Sequence, residues 1–422
     1  MPSDTRLTST TARGKGNTLP VYQAKVPYGS ADRRPWMVLP FPQAEYDRRI
    51  AAVRGRMRAE DLAALVAFSS NADPGHARYL ANFEAGAGET FVVVPLDRGP
   101  MLATNWLMHG EPMHTSIWTT WLEDVRPAER PGFARSPETS AAGQVADKLR
   151  EAGADAERIG IAGTAILPHR VFDELRERLP RAEFVAADDL LLGVRARKSP
   201  LEIGVMRRAA SLSGRMHEAA IAMIAPGVSE RAVAARAHEV AFAGGADALA
   251  FSSAVVGGER AGLKHCAPSD RLFQAGDMVF LDMGAVCSGY CADVSRSLVV
   301  GRPSAEQRTF LDTGLAMFES VLARARPGAA VLGLIEVARG IAERAGFGDD
   351  YMPKGFGHGV GCSLFEQPSL RPATEAILEP GHIFALEPML IRMRFGTACV
   401  EETVLITPDG AEPLSGCPIR FW

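Results

Sequence analysis

Two acidic residues lie on either side of a short turn in the C-terminal half of this sequence. Asp282 and Asp293 each belong to a run rich in β-branched and aromatic residues, a pattern that predicts a β-hairpin. If Cys287 and Ser288 form the loop, the aspartates are directly opposite; a loop at Ser288 and Gly289 makes them diagonal neighbours on one face. In both registers the carboxylates lie within about 4.5–8 Å of each other.

A second pair of acidic residues shows the same arrangement. Glu387 and Glu401 are 14 residues apart and fall on one face of a predicted hairpin whose odd-numbered loop is centred near Arg394. Anions that face each other across a strand pair repel, and an apolar environment increases the cost unless a cation or a shared proton separates them. The sequence therefore predicts bound metal at both hairpins.

One histidine, His358, lies in the glycine-rich stretch "GFGHGVG". Glycine allows the backbone to approach another group closely, so this stretch is suited to present a single imidazole. Four carboxylates at one point require about two divalent ions, and His358 would add the one nitrogen ligand. Oxygen-dominated ligation of this kind suits Mn²⁺, Fe²⁺ or Co²⁺ and permits Zn²⁺, and it argues against a structural zinc site built from thiolates.

The elements that must position these residues occur twice. "MHEAAIAMIAPGVSERAVAARAHEVAFAGG" and "MFESVLARARPGAAVLGLIEVARGIAERAGFG" both predict helix, Pro-Gly turn and helix, with Gly227 and Gly328 101 residues apart. Each copy precedes a similar strand, "GDMVFLDMG" from Gly276 and "GHIFALEPM" from Gly381, 105 residues apart. This internal repeat predicts that the two hairpins meet at a pseudo-two-fold axis.

The 422 residues exceed the length of about 250–300 residues at which a single core stops growing, so two domains are expected. Residues 1–38 are rich in Ser, Thr, Gly and Arg and predict an arm that is flexible or wraps around a partner. Residues 39–192 alternate strands with helices and predict an α/β domain. Residues 193–422 form the second domain, in which a capping box that begins at Ser199 predicts the start of a long helix.

Composition narrows the function classes. A net charge of −4 argues against a nucleic-acid partner. The sequence has no apolar stretch near the ~18–20 residues of a membrane span and no apolar signal at its start, so we expect a cytoplasmic protein without a membrane partner. The six cysteines have no paired zinc-type spacing, and we expect reduced thiols.

Five motifs in this order, "LDMGA", "ADVSRS", "GHGVG", "ALEPM" and "VEETVLIT", resemble the ligand set of the pita-bread metallohydrolases, peptidase family M24. The resemblance covers residues 190–422. It implies an α+β pita-bread domain with an internal pseudo-two-fold repeat, and a homodimer. The α/β domain that precedes it, with "RYLANF", resembles the aminopeptidase P, prolidase and creatinase branch and argues against methionine aminopeptidase.

The resemblance also implies roles for the five candidate ligands. Asp293 and Glu401 would bridge two metal ions, Asp282 would complete the first ion, and His358 with Glu387 the second. A bridging water whose pKa the two cations lower would be the nucleophile, and Glu387 would also steer its proton.

Three more residues are candidates for contact with a substrate. His265, in "LKHCAPSDR", matches the family histidine that faces the substrate and can donate a hydrogen bond to a developing oxyanion or a leaving group. Arg296 is expected either to orient a ligand carboxylate or to form a surface ion pair. Phe365 stands where peptidases of this fold carry a second histidine, in "FEQP", and phenylalanine has no hydrogen-bond donor.

The sequence therefore predicts a dinuclear metallohydrolase that cleaves a C–N bond in a short Xaa-Pro peptide. Because of Phe365, the alternative is a small amide, amidine or ring compound, as in ectoine hydrolase and creatinase. A metal-dependent lyase, like the dimethylsulfoniopropionate lyases of this fold, is a further alternative, but these carry an acidic pair where this chain has only Glu366. A metal-free binding module is the remaining alternative, and proteins of that kind generally lose ligands that are all present here.

Overall fold

The structure is a computed structural model that describes residues 39–84, 88–105, 120–128, 140–352, 356–372, 375–419 and 421–422. The predicted arm, residues 1–38, lies outside the described residues. The chain divides into two compact units. The smaller unit holds the described residues of Met1–Tyr46, Met57–Ala72 and Leu80–Ala186, and the larger unit holds those of Asp47–Arg56, Asp73–Tyr79 and Ala187–Trp422. All five candidate metal ligands belong to the larger unit.

The smaller unit is built on a mixed sheet with the strand order β4-β3-β2-β1-β5-β6. Its strands are β1 (Ala64–Ser70), β2 (Glu89–Pro95), β3 (Met101–Thr104), β4 (Asp124–Pro127), β5 (Arg158–Ala162) and β6 (Glu183–Ala186). The helices that the structure describes before residue 187 are Gln43–Ala59, Gly75–Ala81, Ala141–Glu151 and His169–Arg178. β1 and β2 are apolar and almost wholly buried, and Val145 and Leu149 from one helix share their core. The α/β fold expected for this region is confirmed.

The first long helix of the larger unit begins where the sequence predicts. Ser199 is the N-cap of helix Pro200–Met223, its Oγ accepts a hydrogen bond from the Glu202 backbone N–H, and the Glu202 carboxylate accepts one from the Ser199 backbone N–H. Pro200 occupies the first helical position, where no N–H is needed. The short helix Asp188–Ala196 precedes it, and the helices Glu230–Ala243, Ala305–Leu322 and Val331–Arg344 follow it.

The strands of the larger unit form a sheet with the order β14-β13-β15-β17-β12-β9-β8, in which β16 and β18 also pair with β17, and a smaller sheet with the order β11-β10-β7. They are β7 (Ala248–Leu249), β8 (Ala254–Gly257), β9 (Met278–Met283), β10 (Ala285–Cys287), β11 (Tyr290–Cys291), β12 (Val294–Val299), β13 (Gly357–Gly359), β14 (Glu366–Ser369), β15 (Ile383–Leu386), β16 (Met389–Arg392), β17 (Gly396–Ile406) and β18 (Ala411–Pro413). Every residue of β17 is buried, so any side chain on it lies inside the unit.

The internal repeat is visible in the backbone. Gly227 and Gly328 both have positive φ, 87° and 82°, in the turns that precede the second helix of each copy. The Gly227 N–H donates to the Phe273 carbonyl oxygen, and the Gly328 N–H donates to the Leu378 carbonyl oxygen, both at 2.9 Å. Each turn is thus tied to the segment that leads into the carboxylate-bearing strand of its own copy.

All six cysteines are free, as expected. Within the described parts of the chain, no helix combines the length and the apolar character needed to cross a bilayer.

Candidate metal centre

The first carboxylate hairpin has the second of the two predicted registers. Asp282 on β9 pairs with Ser295 on β12, and Ser288 and Gly289 form the two-residue turn. Both turn residues have positive φ, 49° and 77°, as a tight hairpin of this type needs. Asp282 and Asp293 are therefore diagonal neighbours rather than directly opposite.

The second hairpin has the expected odd-numbered loop. Arg394 is the central residue between β16 and β17, and its φ is 61°. Glu401 lies within β17, and Glu387 directly follows β15, in which Leu386 pairs with Glu402. Because β17 pairs with β12 as well as β15, Glu401 of the second hairpin lies opposite Ser295 of the first.

The glycines around His358 are required by close backbone packing. Strand β13 lies between β14 and β15, so it has neighbours on both sides. A Cβ on Gly357 would lie 1.9 Å from the Ala385 carbonyl oxygen, and a Cβ on Gly359 would lie 2.4 Å from the Gln367 carbonyl oxygen. The His358 Nδ1 is 3.2 Å from the Gly359 carbonyl oxygen, which favours a proton on Nδ1 and leaves Nε2 as the ligand atom.

The structure brings the five candidate ligands together. Asp293, His358 and Glu401 each offer one ligand atom, and these atoms lie within 4.8 Å of one another. The Nε2 atom of His358 is 3.5 Å from an Asp293 carboxylate oxygen and 3.9 Å from Glu387 Oε1. Asp282 interacts with both Asp293 and Glu387. All of these residues are buried except Glu387, which is partly exposed.

This group fits a divalent cation. The Oδ1 atoms of Asp282 and Asp293 are buried and have no hydrogen-bond partner among the described residues. Burial and the neighbouring Glu387 raise the pKa of Asp282 to about 7, and burial, then Glu401, raise the pKa of Asp293 well above its usual range. Burial lowers the pKa of His358, which keeps the imidazole neutral as a ligand must be. Several carboxylate oxygens and one neutral imidazole nitrogen form a donor set that suits a hard divalent ion.

Lys264 also reaches this group, and the sequence reasoning missed it. Its Nζ lies 2.8 Å from Glu387 Oε2. The signal available from the sequence was its position next to His265, a candidate substrate contact. In the structure, His265 is exposed and adopts φ 63°. Burial and the Lys264 charge lower the pKa of His265. The loop that carries both residues therefore borders the centre.

Glu366 anchors the segment that follows His358. It is buried and accepts hydrogen bonds from Arg195 at 2.6 Å and from Lys198 at 3.1 Å, two partners that the sequence did not reveal. Burial alone would raise the pKa of Glu366, but these two cations hold it at about 2. The preceding Phe365 is 60% exposed, and its ring centroid lies 4.4 Å from that of His358. The anchored segment thus presents an apolar ring beside a candidate ligand.

Arg296 has a different position from the one expected. It is fully buried, its guanidinium pairs with the Glu402 carboxylate, and it donates to the backbone carbonyl oxygens of Glu401 and Pro418 at 2.7 Å each. The structure does not bring it to the candidate ligand carboxylates, and it is not a surface ion pair. Arg296 instead ties β17 to the C-terminal segment.

Comparison with known proteins agrees with this architecture. The profile of metallopeptidase family M24 matches residues 204–408, and the profile of the creatinase/prolidase N-terminal domain matches residues 49–197. The Xaa-Pro dipeptidase of Pyrococcus furiosus is 32% identical over 269 residues, which cover 64% of this chain and 76% of that protein. The putative dipeptidase YkvY of Bacillus subtilis is 32% identical over 246 residues, 58% of this chain and 68% of that protein.

Solved structures give the same result. The prolidase from Pyrococcus furiosus superposes with a TM-score of 0.73 at 26% identity, covering 86% of this chain and 99% of that one. The prolidase from Pyrococcus horikoshii OT3 has a TM-score of 0.76 at 24% identity and covers 89% of this chain and all of that one, which shows a shared fold.

The fold and these relatives define a hydrolase of a metal-dependent class. The chain belongs to metallopeptidase family M24, with the N-terminal domain of the creatinase and prolidase branch. The resemblance carried by the five motifs is thereby confirmed.

Proposed function

We propose that this protein hydrolyses a C–N bond with two divalent cations held by Asp282, Asp293, His358, Glu387 and Glu401. The observation that carries the proposal is the convergence of these side chains in a chain 32% identical to an Xaa-Pro dipeptidase. The first substrate class is a short peptide with proline after the scissile bond. Mn²⁺, Fe²⁺, Co²⁺ and Zn²⁺ all suit the donor set.

Each group of the chain has a task in this proposal. Asp293 and Glu401 would be ligands common to both ion sites, Asp282 would serve one site, and His358 and Glu387 would serve the other. When bound, the ions supply Lewis acidity and make water a nucleophile at neutral pH. Glu387, which is partly exposed, would also steer the proton of that water.

His265 is the proposed substrate contact. It is exposed on the loop that borders the centre, and its lowered pKa leaves a neutral ring that can donate one hydrogen bond to the substrate. This contact would orient the scissile group.

Phe365 supports a second candidate substrate. Its exposed ring beside His358 offers apolar contact but no hydrogen bond to a peptide carbonyl or leaving nitrogen. Loss of one preorganised donor commonly lowers a rate by ~10²–10³-fold. We therefore propose slow cleavage of Xaa-Pro peptides and, as the alternative, a small non-peptide amide, amidine or ring compound. The lyase alternative gains no support, because Glu366 is occupied by its buried cation partners.

A substrate comparison tests this proposal. The protein is loaded with Mn²⁺, and kcat/KM is measured for Ala-Pro, for Xaa-Pro-Xaa peptides and for small cyclic amidines. We expect turnover of at least one class and its loss in Asp293→Asn, which removes a candidate ligand charge. Turnover that survives in Asp293→Asn, or no turnover of any class by the Mn²⁺-loaded protein, contradicts the proposal.

A further inference from the structure

One ammonium group contacts a carboxylate of the centre. Lys264 Nζ is 2.8 Å from Glu387 Oε2, and the two side chains are 20% and 14% exposed. The other oxygen of the same carboxylate, Oε1, is 3.9 Å from His358 Nε2. One oxygen of Glu387 therefore lies near the proposed ligand nitrogen of His358, and the other contacts the positive charge of Lys264.

The lysine acts on the whole group of acids. Its charge favours the ionised forms of Asp282, Asp293 and Glu401, all of which burial disfavours. A partly buried ammonium in this position does part of what a metal ion does, because it offsets the repulsion between neighbouring carboxylates.

We propose that Lys264 competes with a divalent cation for Glu387, so that an ion can bind there only when the ammonium withdraws. This inference rests on the proposed role of Glu387 as a metal ligand. The Lys264 ammonium and a divalent ion held by the same carboxylate would repel each other, because two cations that share one anion lie close together. The two cations therefore exclude each other from Glu387.

The loop that carries Lys264 is held at both ends, so the Lys264 side chain can move while the backbone stays in place. Fully buried Glu230 accepts hydrogen bonds from the Gly257 N–H at 3.0 Å and from the Ser269 N–H at 2.9 Å, which holds both ends of the loop. The flexible four-carbon stem of Lys264 is partly exposed between these ends. Withdrawal is therefore a rotation of one side chain.

Competition has two opposite consequences. Without metal, Lys264 stabilises the folded protein because it neutralises Glu387. With metal, Lys264 weakens binding of the ion that uses Glu387, because its contact must first be broken. Replacement by an uncharged side chain should therefore destabilise the ion-free protein and strengthen metal binding.

The test compares wild type, Lys264→Met, the charge-retaining Lys264→Arg and the control Arg231→Met. Arg231 forms an exposed ion pair with Asp270 at 2.8 Å, and Asp270 directly follows the loop between Gly257 and Ser269. Its replacement therefore removes a cation from a carboxylate that is not a candidate ligand. Mn²⁺ is removed with a chelator and titrated back by calorimetry, with elemental analysis for stoichiometry and thermal unfolding with and without Mn²⁺.

We expect the Mn²⁺ site that uses Glu387 to bind about tenfold more tightly in Lys264→Met, the value of one modest hydrogen bond between charged groups. The melting temperature of the ion-free protein should fall, and its rise on Mn²⁺ addition should increase. Lys264→Arg and Arg231→Met should keep affinities within about threefold of wild type.

Two outcomes overturn the inference in distinguishable ways. If wild type binds Mn²⁺ and Lys264→Met binds it with equal or lower affinity, the competition is wrong while the proposed metal centre stands. If wild type binds no Mn²⁺ at all, the proposed metal centre fails and the competition fails with it.

Discussion

Replacement of Phe365 by histidine should raise the cleavage of Xaa-Pro peptides. The Phe365 ring lies 4.4 Å from the His358 ring, and the following residue, Glu366, is fixed by Arg195 and Lys198. A histidine at this position would start from a backbone that is already held in place. It would add a hydrogen-bond donor at the position where the family resemblance predicts a second histidine.

The size of the effect follows from exposure and from hydrogen bonding. Because Phe365 is 60% exposed, its replacement leaves no buried cavity, and the unfolding free energy should change by less than about 0.5 kcal/mol. A fully preorganised donor lowers the activation free energy by ~2.7–4 kcal/mol. A newly introduced imidazole should recover part of that value, about a tenfold to hundredfold rise in kcat/KM for Ala-Pro.

The assay measures kcat/KM for Ala-Pro and for a small cyclic amidine in wild type, Phe365→His and Phe365→Leu, all loaded with Mn²⁺. Phe365→Leu removes the ring without adding a donor, so it should not gain peptide turnover. A rise confined to Phe365→His favours the small non-peptide compound over the peptide as the native substrate. A folded, metal-loaded Phe365→His with no gain on Ala-Pro refutes the reasoning that the missing donor limits peptide cleavage.

Three further predictions concern the metal, an ion pair and a helix cap. Asp293→Asn should weaken Mn²⁺ binding by more than about tenfold in calorimetry and should raise the melting temperature of the ion-free protein, because one buried repulsion disappears. The Glu366 pKa of about 2 lies below its ordinary 4.5, so its ion pairs stabilise the fold fully above about pH 4.5 and weaken as pH falls towards 2. Between pH 5 and pH 3, wild type should lose about 2 kcal/mol more unfolding free energy in urea than Glu366→Gln. Ser199→Ala should cost about 1 kcal/mol in the same measurement at pH 7, because the helix loses its cap.

Each of these has a contrary result. Unchanged Mn²⁺ affinity in Asp293→Asn would remove this residue from the ligand set. Equal acid sensitivity of wild type and Glu366→Gln would mean that other carboxylates control stability in this range. A Ser199→Ala variant as stable as wild type would mean that the capping box is dispensable.

Local sequence determined the parts of the fold that depend on neighbouring residues. The helix that begins after Ser199 follows from a capping box within four residues, and the two helical copies follow from repeated Pro-Gly turns. The odd loop at Arg394 follows from the spacing of two acids on paired strands. Side-chain alternation fixed which carboxylates share a face, so the ligand candidates could be named from the sequence.

Tertiary structure decided which distant groups meet. The register at Ser288 and Gly289 was one of two that the sequence allowed, and only the strand pairing selected it. Lys264 contacts Glu387 across 123 residues, a separation over which no local pattern operates. Arg296 is likewise paired inside the fold with Glu402, 106 residues away.

The sequence by itself determined the kinds of groups available for chemistry: four carboxylates, one imidazole among glycines and a phenylalanine where the family resemblance predicts a second histidine. Only the folded structure decided which of the buried carboxylates lie beside a cation and which lie beside other acids. A buried carboxylate is stabilised by whichever cation lies within a few ångströms, and that cation is supplied by contacts between distant segments. Glu366 therefore has a pKa of about 2 beside Arg195, whereas burial with other acids raises the pKa of Asp282 to about 7.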